Sequence, residues 1–385
     1  MKKALLLLLT LPLLLTFIIT GCKREPVLHL YDGGEIDFDL PIIDLNLEVY
    51  WNYETTYEVD YDWRKEWYYG WDDIDRQIFG EIGYTEPTVF CLRRYFTGQT
   101  PLAPHTSVLA HTINGTHFRG KYNWGFWDLL VWNNIITLDG VQSLIFDEES
   151  SLDSVIAFTN QSMNVARYQA PKYTHSFYEP EALFAGYDQA IEVNKNLEGF
   201  IYDPEQNIYI KELNMQLQPI TYIYLTQVIL HHNNNRITAV DGSSNLSGMA
   251  RYVNVNAGRA GNDPITVYYK VRMKKGCDKE GENVDIVGGR LMTFGICSHQ
   301  ANNISRSEEV NDPYRHYMDV TMQFNNGMDS TFVFDVTSQV RRRYKGGVIT
   351  VELDMDTIPI PTRSGGSGFN AVVEDPDSVT HIIDI

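Results

Sequence analysis

The sequence predicts an all-β chain built as two tandem antiparallel β-sandwich domains with short helical turns. Three observations carry that prediction. Short segments alternate apolar and polar side chains and are separated by Gly, Pro and Asn turns. Residues that suit a pleated, half-buried surface are abundant, with 24 Tyr and 7 Trp in the chain. Long amphipathic helical periodicity is almost absent.

At the N-terminus Lys2-Lys3 precede the apolar run Ala4–Ile19, which leads into Thr20-Gly21-Cys22. A positive n-region, a short hydrophobic region and small residues before a cleavage point make a secretory signal. Ile19-Thr20-Gly21-Cys22 is the lipobox pattern, in which signal peptidase II cuts before a cysteine that is then acylated. As a membrane span the run is short against the roughly 20 residues required, and Pro12 interrupts it. Residues 1–21 are therefore expected to be a leader, and Cys22 the lipidated first residue of a body tethered to a membrane by its acyl chains. Lys23 stands where Asp favours inner-membrane retention, which points to the outer membrane and the cell surface. The formal net charge of −19 argues against nucleic acid as a partner and against adhesion to anionic head groups.

Residues 22–36 are expected to be the tether, 37–190 the first sandwich and 191–385 the second. Ile43, Leu45, Leu47, Val49 and Trp51 alternate with Asp44, Asn46 and Glu48, the mark of a half-buried strand. Asp72–Gly83 places Ile74, Ile78, Phe79 and Ile82 at helical spacing and predicts a short helix. Thr88–Phe96, Ser107–Ile113, Tyr122–Ile136, Leu144–Phe146 and Ser154–Thr159 read as successive strands, and Glu179–Phe184 as one helical turn.

Further strands are predicted over Ile208–Leu217, Ile220–Leu230, Ala250–Asn256 and Ile265–Met273. Gly288–Phe294, His316–Phe324, Thr331–Val336 and Gly347–Leu353 complete the set. Ile220–Leu230 is dense in β-branched and aromatic residues and suits a central strand. The tail carries a Gly/Ser-rich spacer at 364–368 and then alternates through Phe369, Ala371 and Val373. That alternation predicts either a closing hairpin or a strand exchanged with another subunit.

Candidate chemistry is thin. His105, His111 and His117 recur every six residues, but Asn114-Gly115 break the strand that would put them on one face, so a three-His metal site fails. His231-His232 would point to opposite faces of a strand and are better read as a strand end before the Asn233–Asn235 turn. Asp60, Asp62, Asp72, Asp73 and Asp75 lack the calcium-loop pattern and read as a solvated acidic face. Arg341-Arg342-Arg343 reads as a surface turn. The nucleophile elbow, His-Glu-x-x-His, phosphate-loop and dinucleotide patterns are all missing. The sequence asks for no catalysis, no metal and no cofactor.

Cys91, Cys277 and Cys297 remain after Cys22. Cys277 and Cys297 bridge neighbouring strands in an oxidising compartment, or all three stay as buried thiols. The early aromatic cluster contains Trp51, Trp63, Trp67 and Trp71. It reads either as a sugar-stacking platform or as core and rim of the first sandwich.

Several segments together resemble a known group. They are GEIGYTEPTVFCLRRYF at Gly80–Phe96, FWDLLVWNNI at Phe126–Ile135 and YEPEALFAGYDQAI at Tyr178–Ile191. The second half adds LQPITYIYLTQVIL at Leu217–Leu230, NLSGMARYVNVNAG at Asn245–Gly258, ITVELDMDTIPIP and GGSGFNAVVED. The chain is similar to a lipoprotein family of Bacteroidota that resembles the anchor and accessory proteins of type V (fimbrillin) pili. The resemblance implies two tandem transthyretin-like (Greek-key) sandwiches behind a lipidated cysteine. It further implies an anchor, accessory or tip-like subunit of a fimbria, binding pilin-like subunits by β-strand complementation. Shaft subunits of that group lose a propeptide at an Arg or Lys. Here Lys23-Arg24 lies too close to Cys22 to leave a pro-strand, which suits an anchor or accessory protein. The alternative expectation is a surface glycan-binding lipoprotein that uses the Trp51–Trp71 cluster.

Overall fold

The computed structural model describes residues 42–51, 62–134, 143–147, 155–160, 176–194, 196–298 and 314–361. Its strands begin with β1 (Ile42–Trp51), β2 (Val89–Gly98), β3 (Ser107–Asn114), β4 (His117–Lys121) and β5 (Gly125–Asn133). β6 (Leu144–Asp147), β7 (Ile156–Thr159), β8 (Ser176–Tyr178), β9 (Phe184–Val193), β10 (Ile201–Asp203) and β11 (Ile208–Pro219) follow. Next come β12 (Tyr222–His231), β13 (Ile237–Ala250), β14 (Tyr252–Asn254), β15 (Arg259–Ala260) and β16 (Pro264–Lys279). The last are β17 (Glu282–Thr293), β18 (Tyr317–Phe324), β19 (Asp329–Asp335) and β20 (Gly347–Asp354). Helix α1 (Asp73–Phe79) precedes β2, and α2 (Thr337–Arg342) links β19 to β20. The chain is all-β, as its alternation predicts.

In the first sandwich β3-β2-β5-β9 form one layer and β10-β11-β1-β4 the other. The layers join where Gln218 and Pro219 at the end of β11 pair with Ala185 and Phe184 of β9. Between them lie Leu47 from β1, Leu92 from β2, Trp127 and Leu129 from β5, and Leu217 from β11. β1 runs parallel to β11 on one side and antiparallel to β4 on the other.

The second sandwich sets β13, β16, β18 and β19 against β12, β17 and β20. β16 serves both layers. Its first half pairs with β13 and its second half with β17. A small sheet, β15-β14-β7-β6, covers the outer face of the first sandwich, where Tyr95, Leu130 and Trp132 meet Leu144, Ala157 and Val253.

Four expectations change. The boundary expected at 190/191 falls inside β9, and β11, which lies beyond it, pairs with β1 and β9. The helical turn expected at Glu179–Phe184 is extended backbone, because Leu183 donates to Thr221 Oγ1, accepts from Ile220 N and leads into β9. The layers are not purely antiparallel: β1 with β11, β8 with β16 and β12 with β20 are parallel pairs. Finally, β13 occupies a stretch rich in Gly, Ser and Asn that predicts no strand. It forms because its polar groups are paired, with Ser244 Oγ donating to the Asp319 carbonyl and Asn245 Nδ2 to both Asp319 carboxylate oxygens.

Candidate functional site

The aromatic cluster is divided between the two sandwiches. Trp51 ends β1, opposite Leu217 of β11. Residues 62–84 leave the first sandwich and cross the outer face of the second as a strap. The reason lies in β12, which alternates with period 2 and is apolar on both sides. Tyr224, Val228 and Leu230 face the sandwich interior, while Ile223, Leu225 and Ile229 face outward. That outward stripe needs a cover, and Trp63, Trp67 and Tyr69 supply it. Burying each ring is worth roughly 2–3 kcal/mol.

One polar side chain interrupts the stripe. Gln227 is fully buried, and its amide is saturated. Its Oε1 accepts from Tyr68 N at 3.0 Å and Tyr69 N at 3.3 Å. Its Nε2 donates to the Glu66 carbonyl at 2.6 Å and to Thr350 Oγ1 at 3.0 Å. Gln227 thus holds the strap's main chain in register over the sheet.

Charge fixes the next turn of the strap. Asp72 caps α1 and forms a reciprocal capping box with Asp75. Asp75 is fully buried and accepts from Tyr69 Oη at 2.8 Å and Arg272 Nη1 at 2.7 Å, with Lys274 Nζ 2.5 Å away. Lys274 also lies 4.1 Å from the Tyr69 ring centroid. Desolvation opposes ionisation of Asp72, but the Asp75 N–H, Arg272 and Lys274 hold its carboxyl well below the ordinary range. Burial and the bond to Asp75 push the Tyr69 phenol up. The acidic run read as a solvated face is thus partly a clamp.

Tyr69 rests directly on the backbone of β17. A Cβ at Gly288 would stand 2.4 Å from Tyr69 Cδ2, closer than side chains tolerate. Gly288→Ala is expected to cost about 1–3 kcal/mol and to lift the strap. A thermal melt and a red shift of the Trp emission check this; an unchanged melt and spectrum would count against the packing described.

Of the predicted stacking residues the strap carries Trp63, Trp67 and Trp71, and the Trp51 side chain lies outside the described residues. Trp63 and Trp67 are buried and offer no open face to a sugar. Trp71 is half-buried, its indole N–H 3.3 Å from the Gly80 carbonyl. Cys277 sits beside the strap cluster, while Cys297 is buried under the small sheet. Both are free thiols in separate clusters, so the bridge weighed from sequence is not made. Burial pushes the Cys297 thiol up to about 12. Cys22 lies outside the described residues.

The histidines serve separate structural tasks. His105 Nε2 lies 2.8 Å from Asp128 Oδ2, whose Oδ1 accepts from Ala190 N. His111 accepts from Arg94, and burial, followed by the Arg94 and Arg93 charges, lowers its pKa. His231 bridges Glu282 and Glu352 at 2.9 and 2.8 Å, and His232, with φ 50°, opens the expected turn. Among the described residues one group, His232, Asp354 and Asp356, brings ligand-type atoms within 4.8 Å. All three are exposed, and Asp354 Oδ1 already accepts from Asp356 N and meets His232 Nδ1 at 3.0 Å. The geometry is that of a turn cap.

An all-β body can also bind through a sheet edge. The β20 edge is occupied from within. Gln339 of α2 accepts from Thr350 N and donates to the Thr350 carbonyl, at 2.9 and 2.8 Å. Arg343 takes the Val348 carbonyl. A side-chain amide therefore stands where an added strand would pair. Sequence reasoning missed Gln227, Gln339 and Arg272, whose partners lie 11 to 200 positions away. The capping box alone carried a local signal, an Asp three residues before an Asp.

No protein-family model matches the chain, and no curated protein does. Among solved structures it is similar to a candidate adhesin from Bacteroides ovatus, 13% identical over 85% of this chain and 95% of that one, with a TM-score of 0.48. Its neighbours are candidate adhesins and fimbrial proteins of Bacteroidota. A candidate adhesin from Bacteroides thetaiotaomicron is 9% identical over 82% and 92%, with a TM-score of 0.44. The fimbrial anchor protein Mfa2 from Porphyromonas gingivalis is 11% identical over 81% and 90%, with a TM-score of 0.38. At these values the likeness carries no argument about activity, and the functional reading rests on the chain's own residues.

Proposed function

We propose that this protein is a cell-surface lipoprotein that acts as an anchor, accessory or tip-like subunit of a fimbria. It binds pilin-like subunits by strand complementation and is held to the outer membrane through acylated Cys22. The observation that carries the reading is the joining of a lipid-attachment sequence to a body made of open sheets. The segment-by-segment resemblance to fimbrial anchor and accessory proteins supports the same role.

Two measurements test it. Cys22→Ser is expected to move the protein from the membrane fraction to the soluble fraction; unchanged membrane association removes the lipid anchor. Affinity capture from surface-shaved cells is expected to bring down ladders of pilin-like proteins. Capture of the protein alone rejects the fimbrial role.

A further inference from the structure

We propose that a cleft between the small sheet and the turn joining α2 to β20 binds a carboxylate carried on a compact apolar group. This goes beyond the fimbrial reading and does not depend on it. The cleft holds about 190 Å³, and Tyr222, Arg259, Phe294, Ile296, Tyr344 and Lys345 are among the residues that line it. Four stretches of chain meet there. β15 brings Arg259, the start of β12 brings Tyr222, the exit of β17 brings Phe294 and Ile296, and the turn after α2 brings Tyr344 and Lys345. Phe294 and Ile296 are buried and give the cleft an apolar floor.

The walls are fixed by the fold itself. The Gly295 carbonyl accepts from Ala250 N at 2.9 Å, Ser298 N donates to the Gly261 carbonyl at 3.2 Å, and Ile296 forms a bridge with Met249. Tyr224 Oη and Gly346 N both donate to the Arg343 carbonyl, at 2.8 and 3.0 Å, and hold the turn that carries Tyr344 and Lys345. A cleft formed in advance loses little binding free energy to ordering.

The groups left open around this floor are donors. Arg259 and Lys345 are exposed, and among the described residues neither meets a carboxylate. Lys345 lies 5.8 Å from the Tyr344 ring centroid. Neither the Tyr222 nor the Tyr344 phenol has a hydrogen-bond partner among the described residues. Burial, then the neighbouring Tyr344, pushes the Tyr222 phenol up, so it remains a donor at neutral pH. No Asp or Glu of the described residues lines the cleft. Asp263, whose charge reaches the Cys297 thiol, already meets Arg251 at 3.3 Å. Ser298, which also lines the cleft, already donates to Asn262 Oδ1 at 2.8 Å. Two cations and two phenols without acceptors call for an anion, and a planar carboxylate matches the guanidinium fork. The floor sets a second requirement. A sugar would lay its hydroxyls against hydrocarbon and lose their hydration, whereas an aliphatic or aromatic group gains by burial. The volume is below the roughly 300 Å³ of drug-sized sites, so one ring or one side chain fits. A free small acid and the carboxyl terminus of a polypeptide ending in an apolar residue share this chemistry.

The test titrates the full mature chain, by calorimetry, with phenylpropanoate and with the peptide Gly-Gly-Phe, each beside its carboxamide. Each acid is expected to bind at least about tenfold tighter than its amide and to weaken about threefold when salt rises to about 0.5 M. Arg259→Gln and Lys345→Gln are each expected to weaken acid binding about fivefold with an unchanged melt. The double variant is expected to erase the preference for acid over amide. Glu308 and Glu309 belong to the 299–313 segment that follows Ser298 and lies outside the described residues. Their joint replacement by Gln is expected to leave acid binding unchanged; a gain of about tenfold would show that the chain's own acids compete for the cleft and would overturn an external occupant. Absence of binding by both acids, equal binding of acid and amide, or wild-type binding by the folded double variant also overturns the proposal. Should the double variant not fold, the acid–amide comparison on the wild type decides. Tighter binding of Gly-Gly-Phe than of phenylpropanoate supports a polypeptide terminus as the occupant, and the reverse supports a free small acid. Pilin capture is read separately, so the cleft and the fimbrial role can each fail alone.

Discussion

Asp75→Ala is expected to lower stability by about 3 kcal/mol and to release residues 62–84 from the second sandwich. Removing this carboxylate costs more than the bonds it makes. Arg272 and Lys274 have side chains only 24% and 13% exposed, and both would lose the nearest charge that offsets their desolvation. Tyr69 would lose the acceptor of its phenol, and α1 would lose one half of its capping box. Asp72→Ala is the internal standard. Asp72 is 43% exposed, and its loss removes a helix cap, worth about 1 kcal/mol, together with the half-exposed bonds it accepts from Arg272 and its contact with Lys274, while the buried Asp75 stays to face both cations. Asp75→Asn keeps the volume and one acceptor oxygen and should fall between the two. Urea midpoints rank the three variants, and limited trypsin digestion at Arg64, Lys65 and Arg76 reports whether the strap has lifted. Equal midpoints for Asp75→Ala and Asp72→Ala would show that the clamp holds nothing.

The strap also marks the limit of what the sequence discloses. Period-2 patterning is a local property, so it exposes β1, β2, β11, β12 and β20 nearly residue by residue. A helix forms within the predicted 72–83 stretch, but Ile74 and Ile78 are exposed and its buried residue is Asp75, so the apolar spacing misjudged the face that packs. What the pattern lacks is the identity of the partner surface. Trp63 and Trp67 are plainly apolar, but nothing near them says that they cover β12, some 160 residues further on. Gln227 within ITYIYLTQVIL was the available signal: a lone amide in an apolar run must find four hydrogen-bonding partners when buried. β13 is hidden for the opposite reason. Gly242, Ser244, Asn245 and Gly248 lower its strand propensity, and the bonds that compensate come from Asp319 and Ser176, distant in sequence. The same holds for β9, where Ala185-Gly186 breaks the pattern. A Cβ at Gly186 would lie 2.8 Å from Leu217 Cδ2, so the glycine admits β11 rather than ending the strand.

The Asp319–Asn245 pair gives the second large effect, a loss of stability as pH rises. Asp319 sits in the second sandwich, and its oxygens are held by an amide and a backbone N–H rather than by a cation. Burial, resisted by the bonds from Asn245, pushes its carboxyl up to about 7, against about 4 in the unfolded chain. Below pH 4 both states carry the proton and the folded protein has the full benefit. Between about pH 4 and 7 the unfolded chain releases its proton while the folded one retains it. The folded state then binds more protons, so stability falls with rising pH. Above pH 7 both states are ionised and the burial penalty is constant. The total loss across the window is on the order of 4 kcal/mol. Asp319→Asn removes the titrating proton, and a turn of the Asn245 amide lets its oxygen accept from the new amide. Ser176, whose hydroxyl now donates to Asn245 Oδ1 at 3.2 Å, can accept instead. The variant should therefore be less stable than, or equal to, the wild type near pH 4 and more stable near pH 8. Urea midpoints measured across that range give the difference between the two chains, from which titration of other carboxyl groups cancels. Parallel curves would mean that Asp319 keeps an ordinary carboxylate pKa in the folded protein.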